Sequence, residues 1–427
     1  MRIPLHSRIL IGGALGAALG IAAHLLLGDS PFLERFVAYV TGPVGKIFLR
    51  LLFMLVIPLI FSALVLGVAG MGDPRNLGRV GGKTLAYTVV VSGIAVLIGI
   101  TLVNVVRPGD GISPATRRQL LEGAAERSAN LTVAAPPATG VDLLVNIVPD
   151  NPVKAAANGD MLAVIFFSLM VGIGLALTPT PAAERFGQAI EGLLEISMRL
   201  IHVVLAVAPI GVFALLFNLT AELGYEILVQ LAGYVFVVLL ALALHQLVVY
   251  SLAVRLLGGM SPVAFFRGIQ EAMVTAFSTS SSNATLPTAL RVAEEELRLP
   301  PAISRFVLTV GATMNQNGTA LFEGVTVLFL AQFYGIDLTL AQQTMVVAVC
   351  ILGGIGTAGV PSGSIPVVAM ILGMVGVPAE GIGLILGVDR FLDMCRTVLN
   401  VSGDLAAAVV VSKGERRAAP APEAAPA

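Results

Sequence analysis

Residues 387–411 read GVDRFLDMCRTVLNVSGDLAAAVVV, a run apolar enough for lipid except at Asp389, Asp393, Arg396, Asn400 and Asp404. Wound as a helix, these five fall at roughly 0°, 40°, −20°, 20° and 60°, with Thr397 at the edge of the stripe near 80°. An ionised side chain in the bilayer interior is costly, so such a stripe must face a protected, wet cavity inside the protein. The fold therefore has to build a polar cavity at membrane depth, and the stripe is a functional-site candidate on physical grounds alone.

The rest of the chain agrees with a membrane setting. Of its 427 residues 56% are hydrophobic and 12% are charged, about half the charged share of a soluble domain. This points to an all-α polytopic membrane protein. The net charge of −1, with no long basic run, offers nothing to a nucleic acid. Cys350 and Cys395 cannot make a disulfide framework and have no metal-ligand spacing. His6, His24, His202 and His245 stand apart, so no zinc or catalytic-histidine site is expected. Arg2 and Arg8 precede LIGGALGAALGIAAHLLLG in the manner of a signal peptide. That run is long enough to cross the ~30 Å hydrocarbon core, and further apolar segments follow, so it reads as a first transmembrane helix.

Apolar spans fall at about 9–28, 44–70, 84–106, 160–178, 190–218, 228–256, 303–333 and 382–411. Arg2, Arg8, Arg75, Arg79, Lys83, Lys413, Arg416 and Arg417 flank them on one side, which the positive-inside rule makes cytoplasmic. Eight crossings then place both termini inside. The polar segment 107–145 falls outside the membrane as a long flexible loop. The Pro/Ala-rich end AAPAPEAAPA is expected to be disordered.

Two segments do not read as simple crossings. In 276–290, AFSTSSSNATLPTAL, an apolar approach meets a serine-rich break and then a short arm with Pro287. In 346–372, VVAVCILGGIGTAGVPSGSIPVVAMIL, a glycine-rich break leads to Pro361 and a second apolar arm. Each reads as a re-entrant hairpin followed by a long span, and the two units enter from opposite sides. That is the pattern of an inverted repeat with its binding site at the repeat interface.

The chemistry collects at these interruptions. Ser280, Ser281, Ser282 and Asn283 put hydroxyls and unpaired N–H groups at a hairpin tip, where helix N-termini attract carboxylates; the plain alternative is a polar surface loop. Gly354-Ile355-Gly356-Thr357-Ala358-Gly359 matches GxGxxG, but Pro361 follows at once and no soluble βαβ unit surrounds it, which argues against nucleotide binding. It reads instead as a hairpin tip whose backbone approaches a ligand. GATMNQNGTALFEG, residues 311–324, interrupts the seventh span and would expose carbonyls suited to a hard cation; the alternative is a polar helix–helix contact. Arg396 offers the planar fork that holds a carboxylate and Asp393 can hold an ammonium, unless the two merely pair with each other. Asp404 with Asn400 can close a cation site, or Asp404 can serve only as a cap. Glu323 stands alone in an apolar stretch and is a candidate proton carrier or a carboxyl with no transport role. Glu294, Glu295 and Glu296 read as a solvated face.

The motifs SSSNATLP, NQNGT, GTAGVP and DxxRTxxNxxGD, in this order, together with GKIFLRLLFMLVIPLIFSALVLG, resemble the glutamate/aspartate transporter family of dicarboxylate/amino acid:cation symporters over about residues 8–412. The resemblance implies a homotrimer of elevator-type protomers, each with eight transmembrane helices and two re-entrant helical hairpins in inverted repeats. It implies scaffold helices one and two in 1–83, transport helix three in 84–106, an extracellular loop at 107–145 and scaffold helices four and five in 146–225. A transport domain in 226–412 and a cytoplasmic tail at 413–427 complete the arrangement. By the same resemblance Arg396 takes the substrate's side-chain carboxylate and Asp393 its amino group. Ser281, Ser282, Thr319, Thr397, Asn400 and the backbone at Gly359 and Val360 complete the substrate site. Asp404 with carbonyls of Gly311, Asn315 and Asn400 resembles a first sodium site; carbonyls of Thr313, Gly354, Ile355 and Thr357 resemble a second. The coupling ions implied are Na⁺, H⁺ or both, with no covalent cofactor.

The sequence departs from the family at one place. Gln316 and Asn317 stand where NMDGT has methionine and aspartate, and Thr88 and Val91 stand where the family has tyrosine and threonine, although Ser92 remains. A third, buried sodium site is therefore expected to be absent, and Glu323 occupies the position of the glutamate in proton-coupled members. An importer of aspartate or glutamate in a bacterial inner membrane is the leading expectation, with C4-dicarboxylate symport and anion conduction as the alternatives. An intramembrane aspartyl protease is disfavoured, because Asp389 and Asp393 lie on one helix beside Arg396 rather than facing each other.

Overall fold

The structure, a computed structural model, describes residues 5–28, 30–69, 79–111, 148–158, 161–224, 226–356 and 363–416. The expected flexible loop and disordered tail fall largely outside these residues. Among the described residues every regular element is helical. In chain order they are α1 Leu5–Leu27, α2 Pro31–Phe36, α3 Gly42–Phe53, α4 Val56–Ala69, α5 Val80–Val106, α6 Pro152–Ala157, α7 Met161–Ala176, α8 Pro181–Leu223 and α9 Glu226–Leu244. After α9 come α10 Pro262–Gly268, α11 Gln270–Thr279, α12 Ser282–Glu295, α13 Pro301–Met314, α14 Asn317–Tyr334, α15 Leu340–Gly356, α16 Ile365–Met374 and α17 Ile382–Arg416.

Among the described residues three helices are long and apolar enough to cross a membrane unbroken: Val80–Val106, Ile227–Gly258 and Ala379–Lys413. Three of the other apolar runs are bent or divided, and proline and polar residues explain why. Inside α8, Pro209 removes one backbone bond and crowds the carbonyl four residues back. The segments Pro181–Ile201 and Ala206–Ala221 meet there at 55°. The run at 44–70 divides at Met54 and Leu55, with Pro58 placed to crowd the Met54 carbonyl. The run at 303–333 divides into α13 and α14, where Asn315 (φ −101°, ψ 57°) and Gln316 (φ −91°, ψ 58°) leave the helical region. The break falls on the NQNGT motif.

Two sets of helices are knit by different contacts. In the first, α1 lies along α8 while α3 and α4 also pack on α8 and α4 packs on α7. Gly12, Gly16 and Gly20 make the α1–α8 approach close: a Cβ at Gly12 would stand 2.4 Å from the Pro209 oxygen, and one at Gly16 2.4 Å from the Phe213 oxygen. Such small residues every fourth position let backbones touch where lipid gives no hydrophobic drive. In the second set α14 is central. All of its residues are buried, and α5, α9, α15, α16 and α17 surround it. α17 is packed by α13 and by both arms α11 and α12. The stripe on α17 thus faces protein on several sides.

Candidate functional site

Asp389, Asp393, Arg396, Thr397, Asn400 and Asp404 are all buried on α17. Arg396 is 1% exposed. Its Nε donates to Asp393 Oδ1 at 2.9 Å, Nη2 lies 2.9 Å from the same oxygen, and Nη1 lies 3.2 Å from Asp389 Oδ1. The Phe322 ring of α14 covers one face of the guanidinium, with its centroid 4.1 Å from Cζ. Stacking and two carboxylates fix the plane of the fork. Neither Nη1 nor Nη2 makes a well-directed hydrogen bond among the described residues, so their N–H groups can still serve an incoming carboxylate. The ion pair with Asp393 is formed within one helix and so joins no helices together.

The N-terminus of α14 meets this stripe directly. A Cβ at Gly318 would stand 2.5 Å from the Arg396 carbonyl oxygen, so only glycine permits the approach. Asn400 Oδ1 accepts the Gly318 N–H at 2.7 Å and the Thr319 N–H at 3.4 Å. Its Nδ2 donates to Gln316 Oε1 at 2.6 Å and Thr319 Oγ1 at 3.1 Å. A side chain from α17 therefore caps a helix that has no helical partners for its first N–H groups. Thr397 Oγ1 donates to the Asp393 carbonyl at 2.7 Å, which turns the hydroxyl to its own helix.

Below the break, Asn315 Nδ2 donates to Asp404 Oδ1 at 3.0 Å. Asn315 Oδ1 is buried without a hydrogen-bond partner among the described residues. Gly311 lies opposite, where a Cβ would stand 2.6 Å from Asp404 Oδ1. A buried carboxylate, an amide oxygen left unpaired and the end of a broken helix form an oxygen-rich group that fits a hard cation such as Na⁺. Of the second expected ion set, Gly354 packs on the break, with a Cβ there 3.3 Å from the Gln316 oxygen, and Ile355 is buried beside it. The Thr313 side chain is exposed and its hydroxyl donates to the Val310 carbonyl at 2.9 Å. Thr357, Gly359 and Val360 lie outside the described residues.

At the first hairpin, α11 ends in Ser280 with a left-handed φ of 50°. Ser281 then caps α12, its Oγ accepting the Ala284 N–H at 3.2 Å. Thr279 and Thr285 bond across the tip at 3.1 Å. This uses up the framework groups and leaves the buried Ser280 and Ser282 hydroxyls without partners among the described residues. The wide end is tied by Arg291 to Glu271 and Glu295, and by Arg305 to Glu294 at 2.7 Å. The Arg305 guanidinium holds the Glu294 carboxyl below its ordinary range.

Asn317 is fully engaged. Ser92 Oγ donates to its Oδ1 at 2.6 Å, its Nδ2 donates to the Tyr250 hydroxyl at 2.9 Å, and that hydroxyl donates to the Leu399 carbonyl at 3.0 Å. Thr88 and Val91 are buried on α5 with Ser92. Glu323 is fully buried on α14, and neither carboxyl oxygen has a hydrogen-bond partner among the described residues. It faces Gly353 of α15, where a Cβ would stand 3.0 Å from Oε2.

Three contributors were not singled out from the sequence. Arg390 places Nη1 3.5 Å from Asp393 Oδ2; at roughly 100° on the helical wheel it lies just past Thr397. Phe322 reads as an ordinary core residue. Tyr250 follows a wide helical turn, His245–Val249, and such a turn shifts the face that later residues present.

The chain is 36% identical over 419 residues to the proton/glutamate-aspartate symporter of Escherichia coli strain K12, covering 98% of this chain and 94% of that one. It is 34% identical over 426 residues to the proton/sodium-glutamate symport protein of Bacillus subtilis strain 168, covering 97% and 94%. It is also 35% identical over 376 residues to a C4-dicarboxylate transport protein of Rhodospirillum rubrum, covering 87% and 82%. Residues 5–414, with the buried stripe and the broken helix among them, match the sodium:dicarboxylate symporter family, whose members are transporters and not enzymes, and the chain belongs to that family.

Proposed function

We propose that this protein imports aspartate or glutamate by symport with cations. The observation that carries this reading is the buried Arg396 fork, fixed in plane yet with terminal N–H groups that make no hydrogen bond among the described residues, next to the carboxylate of Asp393. A guanidinium and a carboxylate side by side match a ligand bearing both a carboxylate and an ammonium. The Ser280–Ser282 tip, Thr319 and Asn400 stand ready for the second carboxylate, with the backbone at Gly359 and Val360 assigned to the closing hairpin. Asp404, Asn315 and Gly311 hold one Na⁺, and the carbonyls of Thr313, Gly354, Ile355 and Thr357 hold a second. Relatives bearing the names proton/glutamate-aspartate and proton/sodium-glutamate symporter support the substrate class and the ions. The test is uptake into proteoliposomes. Aspartate accumulates against its gradient under inward Na⁺ or H⁺ gradients; equilibration without accumulation would mean a channel.

The two contact sets support an elevator, in which a body built on α5, α9 and α11–α17 slides along a scaffold built on α1, α3, α4, α7 and α8. In this reading both termini are cytoplasmic, the protein sits in a bacterial inner membrane, and scaffolds assemble as a homotrimer.

Glu323 carries the proton in this scheme. A carboxyl group buried without hydrogen-bond partners among the described residues is least costly when neutral, and Gly353 lets the second hairpin pack closely against it. Glu323→Gln is expected to leave Na⁺-driven uptake in place and to remove the response to an imposed pH gradient. Unchanged pH response in that variant would exclude Glu323 as the carrier.

The third sodium site is absent in this reading, because the Asn317 amide satisfies Ser92 and Tyr250 with no net charge to offset a dehydrated cation. Asn317→Asp sets an acceptor against the Tyr250 oxygen, so we expect a loss of about 1–3 kcal/mol in stability. The Na⁺ Hill coefficient should not change, since Thr88 and Val91 still supply no ligand set. A steeper Na⁺ dependence would show that the carboxylate alone rebuilds the site.

A further inference from the structure

We propose that Arg390 sets how far this site accepts a dicarboxylate that lacks an amino group, an inference that rests on the roles just given to Asp393 and Arg396. The two oxygens of Asp393 face different guanidinium groups. Oδ1 takes the Nε–H of Arg396 at 2.9 Å, and Oδ2 lies 3.5 Å from Nη1 of Arg390. The first contact is a hydrogen bond with a side chain 1% exposed; the second is a longer ion pair with a side chain 20% exposed. A ligand ammonium approaching Asp393 meets Oδ2, the oxygen that Arg390 faces, and replaces a loosely held counter-charge there.

The consequence depends on the ligand. Asp389 and Asp393 are balanced by Arg390 and Arg396, so the site without ligand is close to neutral. An amino-dicarboxylate brings its own cation to Asp393 and does not need Arg390. A plain dicarboxylate brings two negative charges and no cation; Arg396 holds Asp393 Oδ1, and among the described residues Arg390 is the basic side chain that faces Oδ2 and shields the ligand from it. Removing the Arg390 charge therefore removes a competitor for an ammonium while exposing a dianion to like charge.

The experiment uses the full-length protein in lipid nanodiscs at saturating Na⁺, with equilibrium binding of L-aspartate and succinate to wild type, Arg390→Gln and Arg390→Lys. In Arg390→Gln aspartate affinity should stay within about threefold while succinate weakens by about tenfold or more, the effect of one charge at close range. Arg390→Lys should restore succinate, which a purely structural role for the side chain would not predict. Equal losses for both ligands, an unchanged ratio, or no succinate binding in the wild type would overturn the proposal. A wild type that binds succinate but not aspartate would overturn the amino-acid reading of the site itself.

Discussion

Arg396→Cys is expected to abolish aspartate binding. Breaking one partner of a buried, charge-paired contact costs about 3–5 kcal/mol, or roughly two to four orders of magnitude in affinity. The side chain is 1% exposed, stacked on Phe322 and held by Asp389 and Asp393, whereas the nearby Arg390 reaches only the other oxygen of Asp393, at 3.5 Å. The substitution also leaves two buried carboxylates short of a counter-charge, which threatens the fold as well as the ligand. Arg396→Cys combined with Asp389→Asn removes one of those charges and keeps the site near neutrality. If that double variant folds and still binds aspartate within about tenfold of wild type, the carboxylate does not sit on Arg396.

Asp404→Asn is expected to weaken Na⁺ dependence by the loss of one of the two ions. Asp404 is buried, and among the described residues no basic side chain forms an ion pair with it. Its hydrogen bond from Asn315 is neutral, so under the proposed function the countercharge would come from a bound Na⁺. Asparagine keeps the shape and removes the charge. Aspartate binding at low Na⁺ should weaken by about a hundredfold or more, and the Na⁺ Hill coefficient should fall by about one. Unaltered Na⁺ dependence would place the cation elsewhere. The variant should also be no less stable without Na⁺, because it relieves an uncompensated buried charge.

Much of this site can be read from the chain because its elements break ordinary rules for a membrane span. Charges at Asp389, Asp393, Arg396 and Asp404 stand out against lipid, and helical periodicity alone puts them on one face. Asn315 and Gln316 interrupt an apolar run, and the backbone leaves the helix at those two residues. What the sequence hid has physical causes. Arg390 lies one step outside the angular window that gathered the stripe, yet its long side chain reaches back to Asp393. Tyr250 comes from beyond the wide turn His245–Val249, where regular helix angles no longer apply. Phe322 is indistinguishable from core until a guanidinium is seen on its face. Hydropathy, which sums over a window, also does not register that α8 bends ahead of Pro209 or that the run at 44–70 divides ahead of Pro58.

A structure of the protein with L-aspartate and Na⁺ bound would show where the ligand lies. One carboxylate should rest on the terminal nitrogens of Arg396, the ammonium against Asp393 Oδ2, and the other carboxylate between the serine tip and Asn400. Aspartate found outside that space, or Arg396 turned from it towards another partner, would overturn the proposed site.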